Sequence, residues 1–408
     1  MKSDVLVIGG GPAGIAAAVE LKRRGVQKVT LIEREPSAGG VPRHCGHPPF
    51  GMREFGRIYS GPAYAARLVE FAIENGVDIQ TGTTVTRLDP GGQIQLVNAQ
   101  GRSTAMAQRV VLATGIRETP RSARFTSGDR PVGVINTGAL QAYVYLRGLM
   151  PFRRPLIVGT ELVAISAVLT CLKAGIKPVG IVEANSRPTT YRPFAFFPRL
   201  LGIPVFYGTQ IEEIQGTKRV ESVKVRLPDD TFREVDCDGV LFTGRFTPEA
   251  SLVRSSHLCV DPGTGGPQID QYGRCSDRSY FAAGNLLRPI ETAGWSFREG
   301  RRIGAMVADD LDGGLPQIHA SASVERGNGI KLVVPQRITL PLVRGGLDHI
   351  QVRVDQQMRG RLTITADGKP LWSRKISALP ERRILIPLAD LSVPEHTNSI
   401  LIELKACL

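Results

Sequence analysis

The chain has 408 residues, 42% of them hydrophobic and 22% charged, the balance of an ordinary globular protein of roughly three domains at ~150 residues each, which excludes intrinsic disorder as its main state. Lysine and arginine total 51 against 38 acidic residues, a formal net charge of +13 that points to an acidic partner, an anionic ligand or a nucleic acid. Glycine is in excess at 45 residues, where ~7% of a chain is usual, and no collagen-like period or Gly/Ser tract accounts for it.

Six cysteines (Cys45, Cys171, Cys237, Cys259, Cys275 and Cys407) form no CxxC pair, which argues against a zinc ribbon, a thioredoxin motif or a local iron–sulfur site and fits a reduced, cytoplasmic setting. The apolar stretch from Val5 to Val19 lacks a basic leader. It is also too short for a transmembrane segment, and nothing longer appears.

Asp4 to Ile8 reads as a short strand, followed by Gly9-Gly10-Gly11-Pro12-Ala13-Gly14, a helix from Ile15 to Arg24, and a second strand from Lys28 to Ile32 that ends in Glu33 and Arg34. Each part has a job in holding a dinucleotide. Gly9 permits a tight turn, Gly11 lets the backbone approach a pyrophosphate, Gly14 lets helix and strand pack closely, and Glu33 accepts hydrogen bonds from the adenosine ribose. A GxGxxG alone is a weak signal, but here strand, helix and acidic residue occur in the required order. The plainer alternative is a glycine turn in an ordinary βαβ unit.

His44-Cys45-Gly46-His47 has ligand chemistry, yet no second Cys/His pair stands beside it except the isolated His257 and Cys259, so no metal is expected. As candidate catalytic groups, His44 and His47 are suited to moving a proton, and Cys45 to acting as a thiolate if basic surroundings lower its pKa. Plain structural roles are the alternative. Arg117, Arg121, Arg124 and Arg130 crowd the next loop, opposed by Glu118 and Asp129. That loop reads as a solvated face or a docking surface for an acidic partner. Nucleic-acid binding lacks a recognised motif and interleaved aromatics.

A second βαβ unit begins at Arg154 to Gly159, with a helix from about Leu162 to Ala174 and a strand from Pro178 to Val182 that ends in Glu183. Its loop, Gly159-Thr160-Glu161-Leu162-Val163-Ala164, carries Glu161 where the second glycine belongs. A carboxylate there repels pyrophosphate, which makes NAD(P) doubtful as a ligand.

After Leu315 a polar linker (316–328) leads to short runs rich in β-branched residues at 330–334, 350–354, 361–365, 383–387 and 399–404, with a hairpin signal at Ala366-Asp367-Gly368-Lys369. A small all-β sandwich is expected. Residues 320–408 hold 13 lysines and arginines against 8 acidic residues, so the module reads as an assembly or docking element, or as a lid.

These motifs in chain order resemble the disulfide-reductase-like flavoproteins with two dinucleotide-binding domains. Further along, Val110 to Gly115 resembles the "ATG" strand end, Val240 to Pro248 the "TGxxP" segment, and Ser279 to Asn285 with Thr292-Ala293-Gly294 and Glu299-Gly300 the last FAD motif. Gly39 to Gly51 and Ala113 to Arg121 are most similar to the FAD-dependent subunits of the hydrogen cyanide synthase, opine oxidase, D-hydroxyproline dehydrogenase and glycerol-3-phosphate-dehydrogenase-like group. The resemblance implies an α/β fold with two Rossmann-like dinucleotide-binding domains, of the glutathione-reductase-like FAD/NAD(P) type, plus the small C-terminal all-β domain. It divides the chain into an FAD domain (1–120 and 268–315), a second Rossmann domain (121–267), the linker, and a β domain (329–408). It implies FAD held by Gly9, Gly11, Pro12, Ala13, Gly14, Glu33, Arg34, Gly39, Gly40, Ala113, Thr114, Gly115, Gly284, Asn285, Thr292, Ala293 and Gly294.

The resemblance also implies partners, namely a small iron–sulfur protein and a second dehydrogenase subunit. The implied small-molecule substrate is an amino acid, amine, imino acid or polyol phosphate. Two departures matter. The redox cysteines of the disulfide reductases, two and seven residues after their Gly-Gly, are here Pro42 and His47, which excludes dithiol chemistry at that place. The acidic residue of the last motif is Asn285, which can still hydrogen-bond a ribityl hydroxyl. The expected function is an FAD-dependent, electron-transferring dehydrogenase subunit. The alternatives are a self-contained NAD(P)H-dependent flavin reductase and a non-catalytic nucleotide-binding assembly subunit.

Overall fold

The structure, a computed structural model, describes residues 2–343 and 345–406; Cys407 lies outside them. Backbone contacts divide the chain into two compact units, the first built from residues up to Gly40, Ala65–Ile116 and Thr247 onward, the second from Val41–Tyr64 and Arg117–Phe246. Relative to the domain limits read in the sequence, residues 41–64 and 117–120 group with the second unit and 247–267 with the first. Four helices position the chemistry: α1 (Pro12–Arg23), α2 (Thr137–Gln141), α3 (Leu162–Lys173) and α4 (Ala293–Leu311).

In the first unit, strands Asp78–Gln80, Val29–Ile32, Lys2–Ile8, Gly101–Leu112 and Tyr280–Ala282 lie side by side in that order, all parallel. Val5, Leu6 and Val7 are completely buried, as a continuous apolar run must be when both faces of a parallel sheet are covered. Helix α4 packs on α1 at backbone contact. A Cβ on Gly300 would stand 2.0 Å from the Ala13 carbonyl oxygen, and one on Gly304 2.5 Å from that of Ala17.

The same unit carries the C-terminal β sandwich. One sheet runs Arg337–Leu340, Ala320–Arg326, Ser399–Ala406, Met358–Ala366, Lys369–Ala378, and the other Ile330–Val334, His349–Val354, Ile384–Pro387. Val324, Ile338, Val352, Ile364 and Ile402 fill the core between them. The expected hairpin turn is present, with Asp367 and Gly368 both left-handed (φ 45° and 82°). The segment read as a linker contains the strand Ala320–Arg326, whose Ala322 and Val324 point inward; small and polar residues disguised its alternation.

In the second unit, Val205–Tyr207, Gly180–Glu183, Pro155–Val158, Gly239–Phe242 and Val134–Asn136 form a parallel sheet, with α3 following Pro155–Val158. No helix among the described residues is long and apolar enough to cross a membrane.

Candidate functional site: two phosphate loops of opposite character

The glycines of the first loop separate by what each must avoid. Gly9 is left-handed (φ 108°), and a Cβ there would lie 2.4 Å from the Ala113 carbonyl oxygen; one on Gly14 would lie 1.9 Å from the Gly9 carbonyl oxygen. Protein packing fixes both. Gly11 differs, because its backbone is extended (φ −83°, ψ −176°), open to any residue, and a Cβ on it would meet nothing closer than Gly40 Cα at 3.9 Å. Gly11 is also the N-cap of α1, and no side chain caps that helix, so the first-turn N–H groups stay available to an anion.

Glu33 is buried, and its carboxylate accepts from Gly10 N at 2.8 Å and Glu35 N at 2.9 Å. Arg34 is exposed. Gly39 N donates to Gly10 O at 2.7 Å, and a Cβ on Gly40 would stand 2.8 Å from Gly11 Cα, so the Gly39-Gly40 turn lies against the loop. Thr114 Oγ1 donates to Glu249 O at 2.7 Å, and Gly115 is left-handed (φ 74°).

At the last motif, Gly284 is left-handed (φ 76°) with space for a Cβ denied by the Ala13 side chain at 2.7 Å. Asn285 closes its own loop, Oδ1 accepting from Glu291 N at 2.7 Å and Nδ2 donating to Glu291 O at 3.2 Å. One donor and one acceptor of that amide are therefore spent on the backbone. Thr292 caps α4 through Oγ1, which accepts from Trp295 N at 3.4 Å, with Ala293 and Gly294 opening the helix.

The β sandwich grips this motif through Glu291, a residue the sequence did not single out. Gln351 Nε2 donates to its Oε1 at 2.6 Å, Arg353 at 3.1 Å, and Arg383 pairs with Oε2 while its guanidinium stacks over Trp295 at 3.9 Å. Burial lowers the Arg353 pKa, the Glu291 charge opposing that shift.

The second loop is filled by its own side chain. The half-buried Glu161 accepts through its carboxylate from Thr243 Oγ1 at 2.7 Å and occupies the gap between Gly159 and Gly244, where a Cβ on either glycine would fall within 2.6 Å of it. Burial raises its pKa. Glu183, the counterpart of Glu33, takes Thr160 Oγ1 at 2.5 Å, Asn185 N at 2.9 Å and Asn185 Nδ2 at 2.6 Å.

The candidate catalytic residues lie in the second unit. Cys45 donates its thiol proton to Gln141 Oε1 at 3.4 Å. Burial first, then the nearby Glu118 carboxylate, pushes its pKa up to about 12, the reverse of the lowering that a basic environment was expected to cause. His47 Nδ1 donates to Pro48 O at 2.9 Å, and its ring packs on Phe50 at 5.6 Å. His257 pairs with Asp277 at 2.8 Å, and among the described residues no group of three or more His, Cys, Asp or Glu is arranged to hold a metal ion.

Glu118, counted in the sequence only as a counter-charge, emerges as the unusual group. Its Oε2 accepts from Gly138 N at 2.6 Å at the start of α2, and a Cβ on Gly138 would stand 3.2 Å from that oxygen and 4.0 Å from His44 Cε1. Oε1 is buried with no hydrogen-bond partner among the described residues. Burial pushes its pKa up to about 7, against the lowering by Gly138 N–H and the Arg124 charge.

A carboxyl whose folded pKa lies above its unfolded value holds its proton more tightly when folded. Its contribution is complete below the ordinary carboxyl pKa and declines as pH rises to about 7. Glu118→Gln removes this titration. Between roughly pH 5 and pH 8 the variant should gain up to about 3 kcal/mol of stability relative to the parent, read as urea unfolding at both pH values. Parallel pH profiles would show that Glu118 titrates normally.

At three of its four positions the arginine loop is tied to backbone carbonyls, with Arg121 and Arg124 half-buried and Arg130 exposed. Arg121 donates to Ser127 O at 2.6 Å, Arg124 to Thr119 O at 3.0 Å, Thr243 O at 3.1 Å and Gly244 O at 2.6 Å, and Arg130 to Gly128 O at 2.6 Å. The guanidinium forks staple backbone carbonyls that strands and helices leave unpaired.

Two parallel-sheet units, each with a strand–turn–helix loop and an acidic residue ending the next strand, define a flavoprotein of the two-dinucleotide-fold, disulfide-reductase-like class. Solved structures share this architecture. Thioredoxin reductase from T. acidophilum superposes with a TM-score of 0.63 at 21% identity, over 76% of this chain and 98% of that one. L-proline dehydrogenase from P. horikoshii gives 0.59 at 22%, over 78% and 57%.

Residues 3–300 match the pyridine nucleotide-disulphide oxidoreductase family; the chain belongs to it and is an FAD-dependent oxidoreductase. An opine oxidase subunit of Agrobacterium tumefaciens (strain Ach5) is 25% identical over 411 residues, 93% of this chain and 75% of that protein. The HcnB subunit of hydrogen cyanide synthase from Pseudomonas aeruginosa is 28% identical over 56% of this chain and 52% of its own length. The alpha subunit of sarcosine oxidase from Rhizobium meliloti (strain 1021) is 27% identical over 71% of this chain and 28% of its own. The chain thus spans about half of HcnB and little over a quarter of the sarcosine oxidase protein.

Proposed function

We propose that this chain is the FAD-holding, electron-transferring subunit of a multi-subunit dehydrogenase for a small amino acid, amine, imino acid or polyol phosphate. Its partners would be a small iron–sulfur protein and a second dehydrogenase subunit. One contrast carries the reading: the first phosphate loop leaves Gly11 open and α1 uncapped, while the second is plugged by Glu161.

The first loop fits a pyrophosphate because the Ala13 and Gly14 N–H groups, in the first turn of α1, have no competing side-chain cap. Glu33 and Arg34 lie on the ribose side, and Gly39, Gly40, Ala113, Thr114, Gly115, Gly284, Asn285, Thr292, Ala293 and Gly294 would line the rest of the cofactor. Bound there, the flavin supplies two-electron acceptor chemistry; the chain supplies position and electrostatics. In the second unit, Glu118 is suited to hold or release a proton near neutral pH, with His44 also close to Gly138. Cys45 is kept as a neutral thiol, and His47 is tied to its own loop.

Acid release of about one FAD per chain from the purified protein is the expected result. An adenine nucleotide without flavin would instead support a non-catalytic assembly role. Glu161→Gly tests the plug separately: NADH binding, measured by fluorescence titration, should strengthen about tenfold or more, since a carboxylate no longer opposes the phosphate. Unchanged affinity would mean that Glu161 is not what closes the loop.

A further inference from the structure

The first unit holds a groove of about 560 Å³ whose lining includes no residue of either phosphate loop. Five arginines line it: Arg23 and Arg24 from the end of α1, and Arg298, Arg301 and Arg302 from α4; Gly345, Gly346 and Asp348 of the β sandwich close one side. Only two of the five are neutralised by carboxylates among the described residues. Arg24 pairs with Glu20 at 3.0 Å and Asp309 at 2.8 Å, and Arg302 with Asp348 at 2.5 Å.

The other three guanidiniums make no ion pair among the described residues, although the Glu20 side chain also lines the groove. Arg23 donates to Asn75 Oδ1 at 3.0 Å and lies over Phe71 at 4.8 Å, and Arg298 sits 5.8 Å from the Trp295 ring. Arg301 has neither contact. Positions 298, 301 and 302 are neighbours on one helical face, where like charges weaken a helix. This arrangement works against the fold, which marks it as serving something outside the fold.

The lining also indicates the class of occupant. Small-molecule sites are mostly apolar with a few polar groups, whereas five guanidiniums dominate the side chains that line this groove, with Ala305 and Met306 beneath them. Arginine forks match carboxylates geometrically. We propose that the groove receives an acidic stretch of a partner polypeptide, with two or three Asp or Glu carboxylates engaging Arg23, Arg298 and Arg301. This rests on the multi-subunit reading above and assigns the surface where such a partner docks.

The test uses the full-length holoprotein and fluorescein-labelled hexaglutamate at low salt, with anisotropy as readout. Binding should fall about tenfold or more in Arg298→Glu/Arg301→Glu. It should change little in Arg359→Glu/Lys375→Glu, which makes the same charge change on exposed strands of the sandwich. Citrate at matched carboxylate concentration should compete poorly. No binding, equal weakening in both double variants, or full displacement by citrate would each overturn the proposal. The readout ignores flavin chemistry, so a chain that proved directly reducible by NADH would still report on the groove.

Discussion

A Gly11→Glu chain should lose FAD affinity by about a hundredfold or more while its fold survives. Gly9 and Gly14 offer no such separation, because a Cβ on either collides with backbone. At Gly11 the backbone is extended and a Cβ has 3.9 Å of clearance, so the protein's own packing makes no demand for glycine there. Two like charges about 4 Å apart at an effective dielectric of about 20 repel by about 4 kcal/mol, and even half of that energy removes more than tenfold in affinity. Equilibrium dialysis against FAD gives the affinity, and far-UV circular dichroism with the melting temperature of the apoprotein gives the fold. Unchanged FAD binding would move the pyrophosphate away from this loop; loss of the fold would show that glycine is needed for packing after all.

Glu291→Ala should be among the most destabilising single changes in the first unit. It leaves Arg353 buried without its carboxylate and deprives Arg383 and Gln351 of their acceptor. Removing one partner of a buried ion pair typically costs about 3–5 kcal/mol. Because Glu291 immediately precedes Thr292-Ala293-Gly294, FAD retention should weaken together with stability. Glu291→Gln keeps a hydrogen-bond acceptor but not the charge, and should fall between. Urea unfolding with FAD release as a second signal checks both, and a cost below about 1 kcal/mol would mean that the sandwich does not brace this motif.

Much of this was legible in the sequence wherever local rules decide structure. The strand–glycine–helix order at residues 4–34 and the hairpin at Asp367-Gly368 follow from backbone requirements of one segment, and the chain adopts both. Glu161 was readable as a defect, though not the manner in which it acts: its carboxylate folds back between Gly159 and Gly244, which are brought together by tertiary structure. The residues that escaped notice depend on distant partners. Glu118 becomes unusual only because α2 lies against it, and Glu291 only because strands 60 residues and more downstream return to meet it. The helix contact at Gly300 and Gly304 has a readable signal, two glycines four apart inside a helical run, of which only Gly300 stands out in the sequence, as part of the flavin motif. Arg121, Arg124 and Arg130 read in the sequence only as charge, whereas each also donates to backbone carbonyls.

The most direct test of the central claim, a flavin loop paired with a closed nicotinamide loop, is the anaerobic absorption spectrum of the purified protein before and after NADH or NADPH. Oxidised-flavin bands that persist after the reductant is added are the predicted result. Rapid bleaching of those bands by either nucleotide, with no partner chain present, would contradict it and identify a self-contained NAD(P)H-dependent flavin reductase.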